Sequence, residues 1–183
     1  MKASKTMTTL GALFILCFAS ITSWADTDFE VSGQGTVSYV VDGDTAFIKV
    51  DDRNTWLSLR NAAISKQAET GRNMNVDRNF KMRFGELTMK VRIGHINTAE
   101  SNHKDSSRNT KDGAIASQFA KRMFSNDRAA YLCWEIGYYG RPICSVQTHD
   151  GYWADQMIES GYATYLTQYG VHPFRHSELA NLQ

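Results

Sequence analysis

The chain has 183 residues, and its 20 lysines and arginines nearly balance its 19 aspartates and glutamates. This balance excludes a protein that holds nucleic acid through an overall basic surplus, so affinity for a polyanion must come from a local cluster or a bound metal ion. The length suits one compact domain with one core.

The N-terminal segment is predicted to be a cleaved secretory signal. Lys2 and Lys5 precede an apolar run from Leu10 to Ile21, and Ser23-Trp24-Ala25 supplies small residues where a signal peptidase reads them. The run is too short to span a bilayer comfortably. We therefore expect residues 1–25 to be removed and residues 26–183 to form a single exported domain, periplasmic or secreted, with no membrane attachment after cleavage.

Short β-strands are predicted along most of that domain. Between Phe29 and Val50, branched and aromatic residues are interrupted by glycines and by Asp42-Gly43, and the block from Phe84 to Ile96 alternates apolar and polar residues. Further strands are predicted at Tyr131–Ile136, Arg141–Gln147 and Tyr162–Leu166.

Helices are predicted between and after these strands. From Lys111 to Phe124, the residues Ile115, Phe119 and Met123 recur at helical spacing, so this stripe is expected to pack on the core. Two more helices are predicted, at Tyr152–Ser160 with Gly161 as its stop, and from His172-Pro173 to the C-terminus.

Residues 51–80 are predicted to form a surface insertion. A helix capped by Asn54-Thr55 is expected there, and the polar stretch from Arg72 to Lys81 is expected to be loop. One face of that helix carries Trp56, Leu59 and Ala63.

Two cysteines, Cys133 and Cys144, flank the turn sequence Gly137-Tyr138-Tyr139-Gly140. If these four residues turn a hairpin, pairing Ile136 with Arg141 sets the two cysteines directly opposite each other, which suits a disulfide. An exported compartment would permit the bridge. The alternative is a pair of buried free thiols.

Three short stretches carry the chemistry. Val40–Thr45 contains Asp-Gly-Asp-Thr, Val91–Glu100 contains an arginine, an amide and a glutamate, and Tyr138–Arg141 adds a second arginine at a tight turn. Asp-Gly alone is a common turn signal. The ordered set of carboxylates, arginines and a glutamate suits metal-assisted attack on a phosphodiester, because fixed cations can stabilise the charge that builds on the phosphoryl oxygens.

The order of these motifs resembles staphylococcal nuclease and its relatives, over roughly Gly35 to Tyr169. The predicted strands and helices suit the fold of that family, which is α+β with a small five-stranded OB-fold-type β-barrel and about three helices. The resemblance implies a calcium ion as cofactor, although another divalent metal is possible, and DNA and RNA as substrates.

The resemblance also implies a role for each matching residue. Ala99 departs from the proline common at its position, which should loosen the turn before the glutamate. The implied catalytic residues are Arg92, Glu100 and Arg141; the metal ligands are Asp44, Asn97 and the Thr98 carbonyl, with Asp42 as a nearby acid; the nucleotide contacts are Tyr139 and, as a further candidate, Tyr169.

The function predicted from these residues is a metal-dependent, sugar-nonspecific endonuclease that hydrolyses DNA and RNA outside the cytoplasm and leaves 3′-phosphates. Asn97 stands where the family has a second calcium-binding aspartate, so a catalytically weakened nucleic-acid-binding module of the same fold is the alternative. His172 and His176 have the spacing of a metal pair on a helix but lack an evident third ligand, and His95 is expected to be structural or exposed.

Overall fold

The computed structural model describes residues 27–101, 107 and 109–183. The predicted signal segment, residues 1–25, therefore lies outside the described residues. The strands are β1 (Val31–Asp42), β2 (Thr45–Val50), β3 (Phe80–Arg83), β4 (Glu86–Ile93), β5 (Ile96–Thr98), β6 (Arg128–Ile136), β7 (Pro142–Thr148), β8 (Gly151–Tyr152) and β9 (Ala163–Tyr165). The helices are α1 (Arg53–Thr70), α2 (Val76–Asn79), α3 (Lys111–Phe124), α4 (Trp153–Glu159) and α5 (His176–Asn181).

Five strands form a barrel around the core. β1 pairs antiparallel with β2 and β6, β2 pairs with β4, and β6 pairs with β7. A parallel contact of only two residue pairs joins β4 to β7, so the barrel is partly open on that side. Alternate residues of β4 are buried, as expected for a strand with one face on the core. The predicted α+β fold with an OB-type barrel is confirmed, and β3 and β8 extend the sheet at its two ends.

The described residues contain five helices, more than the about three of the family fold, because the segment 51–80 supplies α1, which was predicted, and α2, which was not. α1 begins after Asp52, whose carboxylate accepts hydrogen bonds from the backbone N–H groups of Asn54 and Thr55. The predicted cap at Asn54-Thr55 is therefore wrong by about two residues. The buried face of α1 is the predicted one, and the Trp56 indole Nε1 donates to the Thr88 carbonyl of β4 at 3.0 Å.

The loop predicted from Arg72 to Lys81 is wrong in part, because this stretch contains α2 and the start of β3. Met74, Val76 and Phe80 are buried there. These apolar residues are too few to give a periodic pattern, yet each lies against the core. The segment thus packs on the barrel over much of its length.

α3 has the predicted bounds but a different buried face. Ile115 is exposed, and Phe119 and Met123 lie only at the edge of the core. The residues that face the barrel are Gly113, Ala116, Ser117, Ala120 and Phe124. Small side chains let this helix approach closely, since a Cβ added at Gly113 would lie 2.1 Å from the Glu100 carbonyl oxygen.

The predicted bridge between Cys133 and Cys144 is confirmed as a disulfide, with the two Cα atoms 4.0 Å apart. The two cysteines are directly opposed in the β6–β7 register, but Ile136 pairs with Pro142 and not with Arg141. An irregularity between Cys133 and Glu135 absorbs the extra residue. As a result, Arg141 lies in the turn, one residue before β7.

The C-terminal elements follow the prediction with shifted bounds. α4 ends before Gly161, which has a φ of +73°. The strand predicted at Tyr162–Leu166 is β9, which pairs with β5. The last helix starts at His176, later than predicted. Among the described residues, no helix is both long enough and apolar enough to cross a membrane.

Candidate active site

The turn between β1 and β2 places the first two carboxylates. Asp42 pairs with Thr45, which leaves Gly43 and Asp44 as a two-residue loop. The buried indole of Trp153 on α4 donates to the Gly43 carbonyl at 2.9 Å. A Cβ at Gly43 would lie 2.8 Å from a methyl group of Thr98, so glycine is required for this turn to reach β5.

Asp44 is the most connected residue of the site and is only 8% exposed. Its Oδ1 accepts from the Thr45 hydroxyl at 3.0 Å, and its Oδ2 accepts from the Thr98 hydroxyl at 3.1 Å. Oδ2 also forms an ion pair with Arg92 Nη1 at 2.7 Å. The carboxylate is thus held in one orientation by three neighbouring side chains.

Arg92 reaches this carboxylate from β4, where it lies opposite Thr45. Its Nη2 donates to the Ile96 carbonyl at 2.8 Å and its Nη1 to the Ile93 carbonyl at 3.2 Å. These bonds bind the guanidinium to the turn that follows its own strand. The orientation of the arginine is therefore fixed before any ligand arrives.

Arg141 approaches the same place from the β6–β7 hairpin. Its Nη1 donates to the Thr45 hydroxyl at 3.1 Å, so Thr45 connects it to Asp44. No ion pair neutralises Arg141 within the residues that the structure describes. Burial lowers its pKa, and repulsion from Arg92 lowers it further, while Asp44 and Asp42 act in the opposite direction. Two guanidiniums thus share a half-buried pocket with one direct carboxylate partner.

The segment 51–80 holds the turn that carries Arg141. The buried side chain of Asn79 donates to the Tyr139 carbonyl at 2.7 Å and to the Met74 carbonyl at 3.3 Å. Gly140 has a φ of +72°, and a Cβ there would lie 2.7 Å from both the Cβ and the carbonyl oxygen of Met74. The turn therefore fits against the insertion only with glycine at this position.

Asp42 gives the site a second carboxylate. Burial raises its pKa to about 6, and the neighbouring charge of Asp44 adds to the effect. A divalent cation would stabilise both the buried carboxylate of Asp44 and the half-buried carboxylate of Asp42, which repel each other. The Thr98 hydroxyl lies 3.1 Å from Asp44 Oδ2, so the donors gathered here are oxygen atoms, which hard cations prefer. The residues present therefore fit a hard divalent metal ion.

The remaining predicted residues lie at the rim. Asn97 and Glu100 are exposed on β5 and the segment after it, and within the described residues no hydrogen bond or ion pair joins the Glu100 side chain to either arginine. The backbone of Glu100 is fixed, because its carbonyl accepts from Thr110 N at 2.8 Å beside the start of α3. Tyr139 lies next to Arg141, whose guanidinium carbon is 5.6 Å from its ring centroid.

Tyr169 is 81% exposed, and no ring contact or hydrogen bond links it to the other site residues in the described part of the chain.

Two residues that hold the site together, Thr45 and Asn79, were not among the predicted site residues. Thr45 could have been found from the Asp-Gly-Asp-Thr motif, whereas Asn79 has no local signal, since its partner Tyr139 is 60 residues away.

The histidines serve structural roles. His172 is buried; its Nδ1 accepts from the N–H groups of Phe174 and Arg175, so its Nε2 carries the hydrogen and donates to Ser145 Oγ at 2.8 Å. His176 Nδ1 shares a hydrogen bond with the Tyr165 hydroxyl. With these nitrogens engaged, the predicted alternative of a metal pair is not supported.

His95 is half-buried and stacks on Trp134, with the ring planes 13° apart. Of the two predicted alternatives, structural or exposed, the structural one is confirmed.

Among the described residues, the only group of three His, Cys, Asp or Glu side chains spaced to hold a metal ion consists of Asp127, His149 and Asp150. His149 and Asp150 follow β7 at the opposite end of that strand from Arg141, which is eight residues from His149, or about 26 Å at roughly 3.3 Å per residue.

The OB-type barrel gathers two arginines, two carboxylates and neutral oxygen donors at one edge. The family model described as staphylococcal nuclease homologue matches residues 90–183, just over half of the chain, and the chain belongs to that family. The family consists of nucleases, typically metal-dependent, that act on nucleic acids. No curated protein matches the chain. The turn with Asp42 and Asp44 precedes the matched region, so its place in the site rests on geometry.

Proposed function

We propose that the protein is a metal-dependent, sugar-nonspecific endonuclease that hydrolyses DNA and RNA phosphodiester bonds outside the cytoplasm and leaves 3′-phosphates. The observation that carries the proposal is the half-buried pair Arg92 and Arg141, joined through Thr45 and only partly neutralised by Asp44. Arg92 is paired directly with Asp44, whereas Arg141 has no ion pair among the described residues, so its guanidinium is available to an incoming anion in a chain that is nearly neutral overall. Each guanidinium fork can bind phosphate oxygens through paired donors, so two of them suit a phosphate diester.

The two arginines would act in different ways. Arg92 is already bound to the Ile93 and Ile96 carbonyls, so it would offer a fixed charge to one phosphoryl oxygen. Arg141 has a single side-chain hydrogen bond among the described residues, to Thr45, so most of its donors can turn to the phosphate. Donors that are oriented beforehand stabilise the charge of the transition state without reorganisation during the reaction.

The metal site would use Asp44 as its charged ligand, with the Asn97 amide, the Thr98 carbonyl and the nearby Asp42. Calcium is the proposed ion, although another hard divalent cation fits the same oxygen donors. When bound, the ion would supply Lewis-acid stabilisation of a phosphoryl oxygen. Asp44 would then have to share its Oδ2, which Arg92 and Thr98 now contact.

Glu100 is proposed as the general base. Its side chain is exposed beside the site, while its backbone is fixed by Thr110, so the carboxylate can reach toward a water above the phosphate. A carboxylate in that position would orient the water and accept its proton. Because Ala99 stands where the family has proline, the backbone before Glu100 lacks the restriction on φ that a proline ring imposes.

The proposal is tested by digestion of single- and double-stranded DNA and RNA with and without a chelator. Arg92→Ala, Arg141→Ala and Glu100→Gln should each lower turnover by about 10²–10⁵-fold while the far-UV spectrum stays unchanged. Lys121→Gln, at an exposed position on α3, is the matched control. Activity within twofold of wild type in either arginine variant would end the assignment. End-labelling of the products reports whether the phosphate stays on the 3′ side.

A second candidate is a nucleic-acid-binding module whose catalysis is weakened. The observation in its favour is that Asn97 brings no charge and Asp44 Oδ2 is already paired with Arg92. This candidate predicts binding without chelator-sensitive cleavage, and recovery of cleavage in Asn97→Asp. The proposed export is tested separately, by finding the processed chain in the periplasmic or culture fraction.

A further inference from the structure

The outer face of the barrel continues the site along β2 and β4. On these paired strands, Thr45 faces Arg92 and, two residues further, Phe47 faces Lys90. Because side chains alternate across a sheet, Lys90 and Phe47 lie on the same side as Arg92 and Thr45. Lys81 of β3 lies opposite Thr88, the next outward position of β4. The row thus leads away from the two arginines.

Phe47 is flanked by two lysines on this face. Lys81 Nζ lies 4.7 Å and Lys90 Nζ 5.7 Å from the centroid of its ring. Neither lysine forms an ion pair within the described residues, whereas Lys49 and Lys66 each pair with a carboxylate there. Burial lowers the pKa of Lys90, and so does the nearby charge of Arg141, which places this lysine within the field of the active site.

An exposed aromatic ring lies beside this pair of cations. Tyr39 of β1 is 56% exposed, and its ring centroid is 6.5 Å from that of Phe47 at an angle of 51°. Because more than half of the Tyr39 surface is exposed, this ring can contact a base, and the two lysines beside Phe47 can contact phosphates. Lys49, further along β2, pairs with Glu86, and this carboxylate ends the cationic row.

We propose that Tyr39, Phe47, Lys81 and Lys90, here called the barrel strip, bind the single-stranded flank of a polynucleotide that enters the active site. The proposal rests on the proposed function only for the position of the reacting phosphate, between Arg92 and Arg141. Aromatic rings stack on bases only where these are unpaired, and lysines that follow a backbone supply affinity without sequence preference.

The size of the strip sets the length of nucleic acid that it serves. From Arg92 to Thr88 the strand advances about 13 Å, at roughly 3.3 Å per residue. At about 3.4 Å per stacked nucleotide this corresponds to about four nucleotides beyond the reacting phosphate. A trinucleotide can therefore occupy the catalytic pocket without using the full strip, whereas a dodecanucleotide can use both.

The test measures binding of fluorescein-labelled dT₁₂ and dT₃ by anisotropy, with metal removed by chelation so that nothing is cleaved. Lys81→Gln/Lys90→Gln should weaken dT₁₂ binding about tenfold at low salt and lower the salt slope by about 1.4, at about 0.7 per phosphate contact on a single strand. Tyr39→Ala should weaken it about fivefold or more. Lys121→Gln, a charge loss on α3 outside the strip, should stay within twofold of wild type.

The outcomes separate the strip from the proposed function. If the double lysine variant and Tyr39→Ala bind dT₁₂ as wild type does, with an unchanged salt slope, the strip is wrong even where wild type cleaves DNA. If wild type binds dT₁₂ in a strip-dependent way but cleaves nothing, the strip stands and the nuclease proposal fails. A wild type that binds neither probe overturns the strip, and equal binding of dT₁₂ and a twelve-base-pair duplex overturns its preference for single strands. With metal restored, the ratio of kcat/KM for long over short substrates should fall about tenfold in the double variant.

Discussion

Reducing the disulfide is expected to destabilise the protein by an amount that follows from its short loop. Cys133 and Cys144 are 11 residues apart in sequence. In the chain-entropy model, closing a loop of this length lowers the entropy of the unfolded chain by about 9 cal/mol/K, or about 2.8 kcal/mol at 25 °C. For a chain of this size, that difference corresponds to a fall of about 6–11 °C in the melting temperature.

The assay is guanidinium unfolding followed by tryptophan fluorescence, with and without reductant. Cys133→Ala/Cys144→Ala is the control: both side chains are fully buried, so this variant should be no more stable than the reduced protein and should not respond to reductant. If reduction moves the free energy of unfolding by less than about 0.5 kcal/mol, the loop-entropy argument is wrong here. Labelling of both cysteines in the unfolded, unreduced chain would refute the bridge itself.

Three further predictions concern the support of the site and the pH dependence of stability. Asn79→Ala removes the donor to the Tyr139 carbonyl, so the free energy of unfolding should fall by about 1–3 kcal/mol. The value of kcat should fall about tenfold or more, because the turn that carries Arg141 loses its support. Wild-type values in both assays would contradict this role. Gly140→Ala forces a Cβ to within 2.7 Å of Met74, so a loss of more than about 1 kcal/mol is expected in denaturant unfolding, and an unchanged midpoint would count against the docking. Burial lowers the pKa of His172 to about 3 from its ordinary 6.5. As the pH falls below 6.5, the unfolded chain therefore binds this proton first, and stability should drop by up to about 1.4 kcal/mol per pH unit toward pH 3; urea titrations from pH 7 to 4 should show a shallower loss in His172→Gln.

The parts of the fold that were predictable from sequence are those with local signals. Gly161, which follows a stretch with apolar residues at helical spacing, predicted the end of α4. The two cysteines on either side of a glycine-bounded turn predicted the β6–β7 hairpin. The motif residues Asp44, Arg92 and Arg141 meet at one place, as their order predicted. In each case, the information lies within a few residues of chain.

The incorrect predictions concern features that depend on contacts between residues far apart in sequence or on local backbone irregularities. On α3, large side chains were predicted to face the core, but close approach to the Glu100 segment requires Gly113, so the helix turns its small residues inward. The hairpin register near Ile136 was off by one because a local irregularity cannot be read from alternation. The role of Asn79 depends on a partner 60 residues away, and no spacing rule reaches that far.

The hairpin that carries Arg141 is fastened at both ends, by the disulfide at its base and by Asn79 at its tip. Its local opening should therefore cost nearly as much as unfolding the whole barrel, so the Gly137 and Gly140 amides, which donate within the turn, should exchange with deuterium only by global opening. Once the bridge is reduced, the tip is held from one side alone, and partial opening becomes accessible. The redox state of the surroundings would then set how long the arginine stays in place.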